Sequence, residues 1–135
     1  SARVELDPPI DSLVSDEDIA MLNAVKEVVK GKKGLFIGGS CKEDIRLKVE
    51  AELELSELAW PSSSGTESIY RFERDIQSSD VTFLLLKQVR TGWSQSKELA
   101  ADHDKLYVRL PGSITLPNIV KQMYYQLAPQ ESRKA

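Results

Sequence analysis

The run Gly38-Gly39-Ser40-Cys41-Lys42 joins two glycines, which let a backbone turn sharply and approach a ligand, to a hydroxyl, a thiol and a cation. It follows an apolar stretch and precedes a helical pattern, so it belongs where a strand hands over to a helix N-terminus. The first N–H groups of a helix have no partner within it and carry partial positive charge, which suits an anion. The run lacks the third glycine of a dinucleotide fingerprint and the lysine of a P-loop, and it reads equally as a tight turn with a serine cap. Ser62-Ser63-Ser64-Gly65 either wraps a phosphate or is a flexible loop. Further on, Lys87, Arg90 and Lys97 lie close to Gly92 and Trp93. Cations beside an indole are able to clamp a phosphate and stack a base or peptide plane; the plainer alternative is a tryptophan packed on a sheet edge within a solvated charged rim. The candidate ligand-binding set is Gly38, Gly39, Ser40, Cys41, Lys42, Ser63, Ser64, Lys87, Arg90, Trp93 and Ser113. No catalytic or metal-binding residue is assigned, and the residues name no cofactor.

The acid–base inventory argues against an enzyme without settling the matter. His103 is the only histidine, set in Asp102-His103-Asp104 just before the last strand, where a surface turn is expected. With a single cysteine and a single histidine no ordinary zinc site can be built, and a Ser-His-Asp arrangement would need that misplaced histidine. No strand ends on the aspartate that a phosphotransfer or receiver site requires for magnesium. Cys41 at a helix N-terminus beside Lys42 is expected to have a lowered pKa, so it is either a reactive thiol or a half-buried silent one.

The elements that position these residues follow from the apolar spacing. From residue 34 onward a strand pattern alternates with a helix pattern, with strands at 34–38, 57–60, 81–87 and 105–110; the third is apolar on both faces. Ser40 with Glu43, and Ser64 with Glu67, have capping-box spacing ahead of the apolar rows Ile45, Val49, Leu53 and Ile69, Phe72, Ile76. A short third helix spans about 94–101 with Leu99 and Ala100 buried, and the last opens at Pro117 and buries Ile119 or Val120, Met123, Tyr124 and Leu127. Ahead of the first strand, Ser15 caps a helix whose first turn is Asp16-Glu17-Asp18 and whose apolar row is Ile19, Leu22, Val25, Val28 and Val29; Gly31 and the lysines around it stop it. Residues 1–14 read as an extended acidic arm or linker, 15–31 as an N-terminal helix, 32–127 as an α/β domain and 128–135 as a frayed terminus. Right-handed crossovers give a flavodoxin-like strand order 2-1-3-4 or a half-Rossmann order. We expect the former, as a three-layer sandwich with a four-stranded parallel sheet, and either order keeps the ligand crevice at the carboxyl ends of the strands.

Composition bounds the class. In 135 residues, 41% hydrophobic and 29% charged positions fit one globular domain. The longest apolar run, Val81 to Leu86 with Thr82 inside it, is far short of the roughly 20 residues of a membrane span, so no membrane partner and a cytoplasmic setting are expected. A lone cysteine forms no internal disulfide, in keeping with a reducing compartment. The net charge of −3 is uneven: residues 1–18 hold six acids against Arg3, a balance of −5, leaving +2 on the other 117 residues. That near-neutral remainder makes nucleic acid an improbable partner. The chain opens Ser1-Ala2 without methionine, which suggests processing, a cloning scar or, as we favour, a domain excised from something larger.

Gly38-Gly39 at the end of the first strand, Ser79-Asp80-Val81 entering the third, Ser94 and Lys97 in the following loop and helix, and the exit from Leu110 to Ser113 together resemble a bacterial domain family of unknown function with a Rossmann-like or flavodoxin-like α/β fold. The resemblance extends over residues 32–127 and implies that fold. Members of the family carry histidines after the first strand and in the loop after the third, where this chain has Ser40 and Trp93, so a metal or acid–base role of those histidines does not transfer.

The expected function is a non-catalytic sensory or adaptor domain of a larger protein that binds a small anionic, nucleotide-like ligand at the carboxyl edge of the sheet. One alternative is an interaction or oligomerisation module that docks on another domain, protein or second copy through its N-terminal helix. Another is a nucleotide-processing enzyme domain completed by a partner.

Overall fold

A computed structural model describes residues 13, 15–64, 66–88 and 96–134. The chain forms a four-stranded, all-parallel sheet in the order β2-β1-β3-β4 with five α-helices, an α/β fold of the flavodoxin-like order. The elements are α1 (Asp16–Val29), β1 (Lys33–Ile37), α2 (Glu43–Glu52), β2 (Glu57–Ala59), α3 (Glu73–Ser78), β3 (Val81–Leu85), α4 (Ser96–Asp102), β4 (Leu106–Leu110) and α5 (Leu116–Lys134). A 3₁₀ turn at Ile69–Phe72 precedes α3, and another at Leu86–Gln88 follows β3.

Parallel strands require crossovers that cover both faces of the sheet, so side chains of opposite parity meet different helices. On one face Phe36, Phe83, Leu85, Val108 and Leu110 pack with Val49 and Leu53 of α2, Ile119 and Met123 of α5, and Val25 and Val29 of α1. Phe36 stands edge-on to both Phe83 and Trp60, with centroids 5.0 and 5.1 Å away. The opposite face joins Leu35, Ile37, Leu84 and Tyr107 to Phe72 and Ile76 of the α3 region and Leu99 and Ala100 of α4. That layer contains a polar pin: the Ser96 and Tyr107 hydroxyls lie 2.7 Å apart in the interior, and burial pushes the Tyr107 phenol up.

The expected N-cap of α1 is present, since Ser15 Oγ accepts the Asp18 N–H at 3.0 Å, and Gly31 takes the left-handed conformation after the helix. Helix α1 packs chiefly on α5 through Leu22, Val25 and Val29, whereas Ile19, expected on the buried row, is 45% exposed. In α5 both Ile119 and Val120 are buried, but Tyr124 is 40% exposed, because the row continues from Met123 directly to Leu127. The helix opens at Leu116, with Thr115 Oγ1 accepting the Asn118 N–H, which puts Pro117 second. It runs on to Lys134, beyond the point where the sequence suggests fraying. Strand β3 stops at Leu85 rather than residue 87, for its neighbours end beside it: Ile37 lies opposite Leu84, and Leu110 opposite Leu85. Among the described residues, no helix is long and apolar enough to cross a membrane.

Candidate functional site

In an open parallel sheet, a crevice forms at the carboxyl edge where successive crossovers leave for opposite faces. Here that point is between β1, whose helix α2 covers one face, and β3, whose helix α4 covers the other. Gly38 leaves β1 at φ 131° and Gly39 follows at φ 66°, both in the region that favours glycine, and the chain reaches α2 four residues later, at Glu43.

The loop after β2 is sewn onto this turn. Buried Trp60 donates its indole N–H to the Gly38 carbonyl at 2.9 Å, and the Ser63 N–H bonds the Gly39 carbonyl at 3.0 Å. Trp60 is therefore a core residue that anchors two loops, and Trp93 and Arg90 of the candidate ligand-binding set lie outside the described residues. Ser63 and Ser64 converge on Glu67: the Ser63 hydroxyl and the Ser64 N–H both donate to its carboxylate, at 3.0 and 3.1 Å. Its own backbone N–H, followed by that of Ser64 and the two hydroxyls, holds the Glu67 carboxyl down to about 2.

The capping box expected at Ser40 and Glu43 does not form. Lys42 is the N-cap of α2 without a side-chain bond, and Glu43 turns sideways to accept two bonds of 2.7 Å from Arg46, which hold its carboxyl down to about 2. Arg46 is itself anchored, to Glu50 at 3.4 Å and to the Leu58 carbonyl at 3.0 Å. The expectation for Cys41 reverses as well. Partial burial, and next the Glu43 carboxylate 3.5 Å from its sulfur, push the thiol up rather than down, because a neighbouring negative charge opposes a thiolate. Lys42 and Lys87 are exposed, the first at the start of α2 and the second on the turn after β3. Neither makes an ion pair among the described residues.

Ser113 stands apart from this group. Its loop follows β4, which β3 separates from β1. Two strand spacings make that a lateral separation of roughly 10 Å. The Ser113 carbonyl accepts a bond from Asn118, and the residue borders an open cleft of about 620 Å³ between the starts of α1 and α5, together with Asp18, Lys121 and Tyr125. His103 occupies a turn at the opposite end of the sheet, with Nε2 3.2 Å from Glu73 and 3.3 Å from Gln77. The described residues contain no group of three or more His, Cys, Asp and Glu able to hold a metal.

The sequence reading missed Arg46, Glu50, Asn118 and Gln126, which bind loop or strand backbone. The i,i+4 spacing of Arg46 and Glu50 was visible, but it signals an ordinary helix-surface pair. Comparison with known proteins adds no identity, since no family model, no curated protein and no solved structure matches this chain.

Proposed function

We propose that the domain binds a small anionic, nucleotide-like ligand at the carboxyl edge of its sheet, without catalysis of its own, as a sensory or adaptor unit. The observation that carries this reading is the pair of positive-φ glycines at the crossover point between β1 and β3. Close backbone approach becomes possible there, and Lys42 and Lys87 rise from the two loops that flank it. Glu43 and Asp44 in the first turn of α2 oppose an anion directly on that helix axis, which favours a ligand seated toward the β3 side.

The test is thermal stabilisation by a panel of nucleotides, phosphorylated metabolites and inorganic phosphate. Charge-assisted contacts contribute on the order of 1.5–3 kcal/mol each, so Lys42→Ala with Lys87→Ala should weaken a bound nucleotide roughly tenfold or more. The stabilisation should vanish in that variant while the melting temperature without ligand stays unchanged, because both side chains are exposed. A panel that leaves the unaltered protein's melting temperature unmoved removes this reading. The interaction-module reading then takes its place, favoured by exposed Ile19 on α1 and Tyr124 and Tyr125 on α5.

A further inference from the structure

An edge strand presents N–H and C=O groups to which another strand can pair. This sheet has two such edges, β2 and β4. The Leu106 N–H bonds the Asp80 carbonyl at the entry to β3, and backbone groups alternate in direction along a strand, so Arg109 turns its N–H and C=O to the free edge. Gln126 of α5 meets both. Its Oε1 accepts the Arg109 N–H at 2.7 Å, and its Nε2 donates to the Arg109 carbonyl at 2.8 Å. A primary amide offers the same donor and acceptor as a peptide unit, and a bond from Nε2 to Gln122 Oε1 at 3.0 Å fixes its orientation.

The other edge repeats the arrangement with different chemistry. Leu58, the middle residue of β2, gives its N–H to Glu50 at 2.8 Å and receives Arg46 on its carbonyl at 3.0 Å. The two side chains are 3.4 Å apart on α2 and together supply one acceptor and one donor. Two helices with unrelated residues thus occupy the same backbone pair on opposite edges of one sheet.

We infer that Gln126 and the Arg46–Glu50 pair are surrogate strands that hold the sheet at four strands, and that the β4 edge beneath Gln126 is a latent pairing surface for a second copy of this chain. β4 is the more exposed to this because it offers five residues, against three in β2. A second copy is the fitting occupant, since it brings an identical edge and two like edges can pair about a two-fold axis. Exposed Arg109 adds a charge that discourages such pairing while the seal is in place.

Gln126→Leu removes donor and acceptor while keeping most of the side-chain volume. By light scattering across a concentration series, its mass should rise to about twice that of the unaltered chain or beyond, with infrared absorption typical of intermolecular β-structure. Adding Arg109→Pro, which deletes the freed N–H at a position where an edge strand tolerates proline, should return the mass to that of the unaltered chain. Glu50→Leu should shift the mass less than Gln126→Leu. The inference is overturned if Gln126→Leu keeps the mass of the unaltered chain, if association persists after Arg109→Pro, or if the variant unfolds without associating, which would make Gln126 a strut and not a seal.

Discussion

The turn after β1 and the loop after β2 both spell serine, two residues, then glutamate, and both glutamates have an arginine one turn further along. They fold differently. At the first, Glu43 leaves the backbone for Arg46, Ser40 makes no cap, and α2 begins at Glu43 itself. At the second, Glu67 folds back onto Ser63 and Ser64 although Arg71 also reaches it at 2.8 Å. What separates them is where each arginine is anchored. Arg46 is held to the sheet edge by Glu50 and the Leu58 carbonyl and draws Glu43 outward, whereas Arg71 bonds the Ser62 carbonyl within its own loop and leaves Glu67 there. A glutamate thus folds back onto its preceding serines only where no better-fixed partner competes for its carboxylate. Even there the capping box expected at Ser64 and Glu67 caps no helix, because the 3₁₀ turn that follows is capped by Ser68.

The most forceful way to disturb both loops at once is through Trp60, which joins them. Trp60→Ala should cost ~3–5 kcal/mol of stability in urea unfolding, as expected for a large buried aromatic. Trp60→Phe keeps most of the packing and strands the Gly38 carbonyl, so it should cost ~1–3 kcal/mol. A phenylalanine variant as stable as the unaltered protein would mean the indole N–H does not tie the loops. The serines give a smaller contrast. Ser68 Oγ accepts the Tyr70 N–H at 3.2 Å ahead of the 3₁₀ turn, so Ser68→Ala should cost about 1 kcal/mol. Ser40→Ala should stay within about 0.5 kcal/mol, and equal losses at the two positions would restore the cap that the first turn lacks.

The subtlest contrast is in acid. Glu43 and Glu67 are both held down to about 2 from an ordinary 4.5. Each is ionised more readily in the folded than in the unfolded chain. Its contribution to stability is therefore present above about 4.5 and is lost as the pH falls toward about 2. Carboxyl NMR titration of Arg46→Met should return Glu43 toward the ordinary range and leave Glu67 near its low value, because backbone N–H groups and not an arginine dominate there. Both moving together, or neither, would erase the distinction between the two loops.

Much of the architecture was legible because it rests on periodicity. The both-faces apolar pattern of Val81–Leu85 marks a central parallel strand wherever it occurs, and Ile69, Phe72 and Ile76 can share only one helical face. Ile19 and Tyr124 misled for a matching reason. Period identifies a face but not how much of it a neighbouring helix covers: in α1 Leu22, Val25 and Val29 are buried, Met21 and Val28 are partly covered, and Ile19 is left exposed. The glycine turn was legible as a turn, while the role of Trp60 at the end of the second strand was not, because nothing local shows that its indole reaches a carbonyl 22 positions earlier.

The sequence by itself determined the strand–helix alternation, the cap of α1 at Ser15, the left-handed exits at Gly31, Gly38 and Gly39, and the edge of the sheet on which the glycine turn lies. These depend on neighbours within about one helical turn and on the handedness of crossovers. Only the tertiary structure decided that Glu43 turns out to Arg46 while Glu67 folds back onto Ser63 and Ser64, that a negative neighbour opposes the Cys41 thiolate, that Ser113 stands away from Gly38, and that Gln126 and Arg46 with Glu50 close the sheet edges. Each of these is a competition among polar groups brought together by folding, and its outcome turns on distances of a few ångströms that spacing along the chain does not encode.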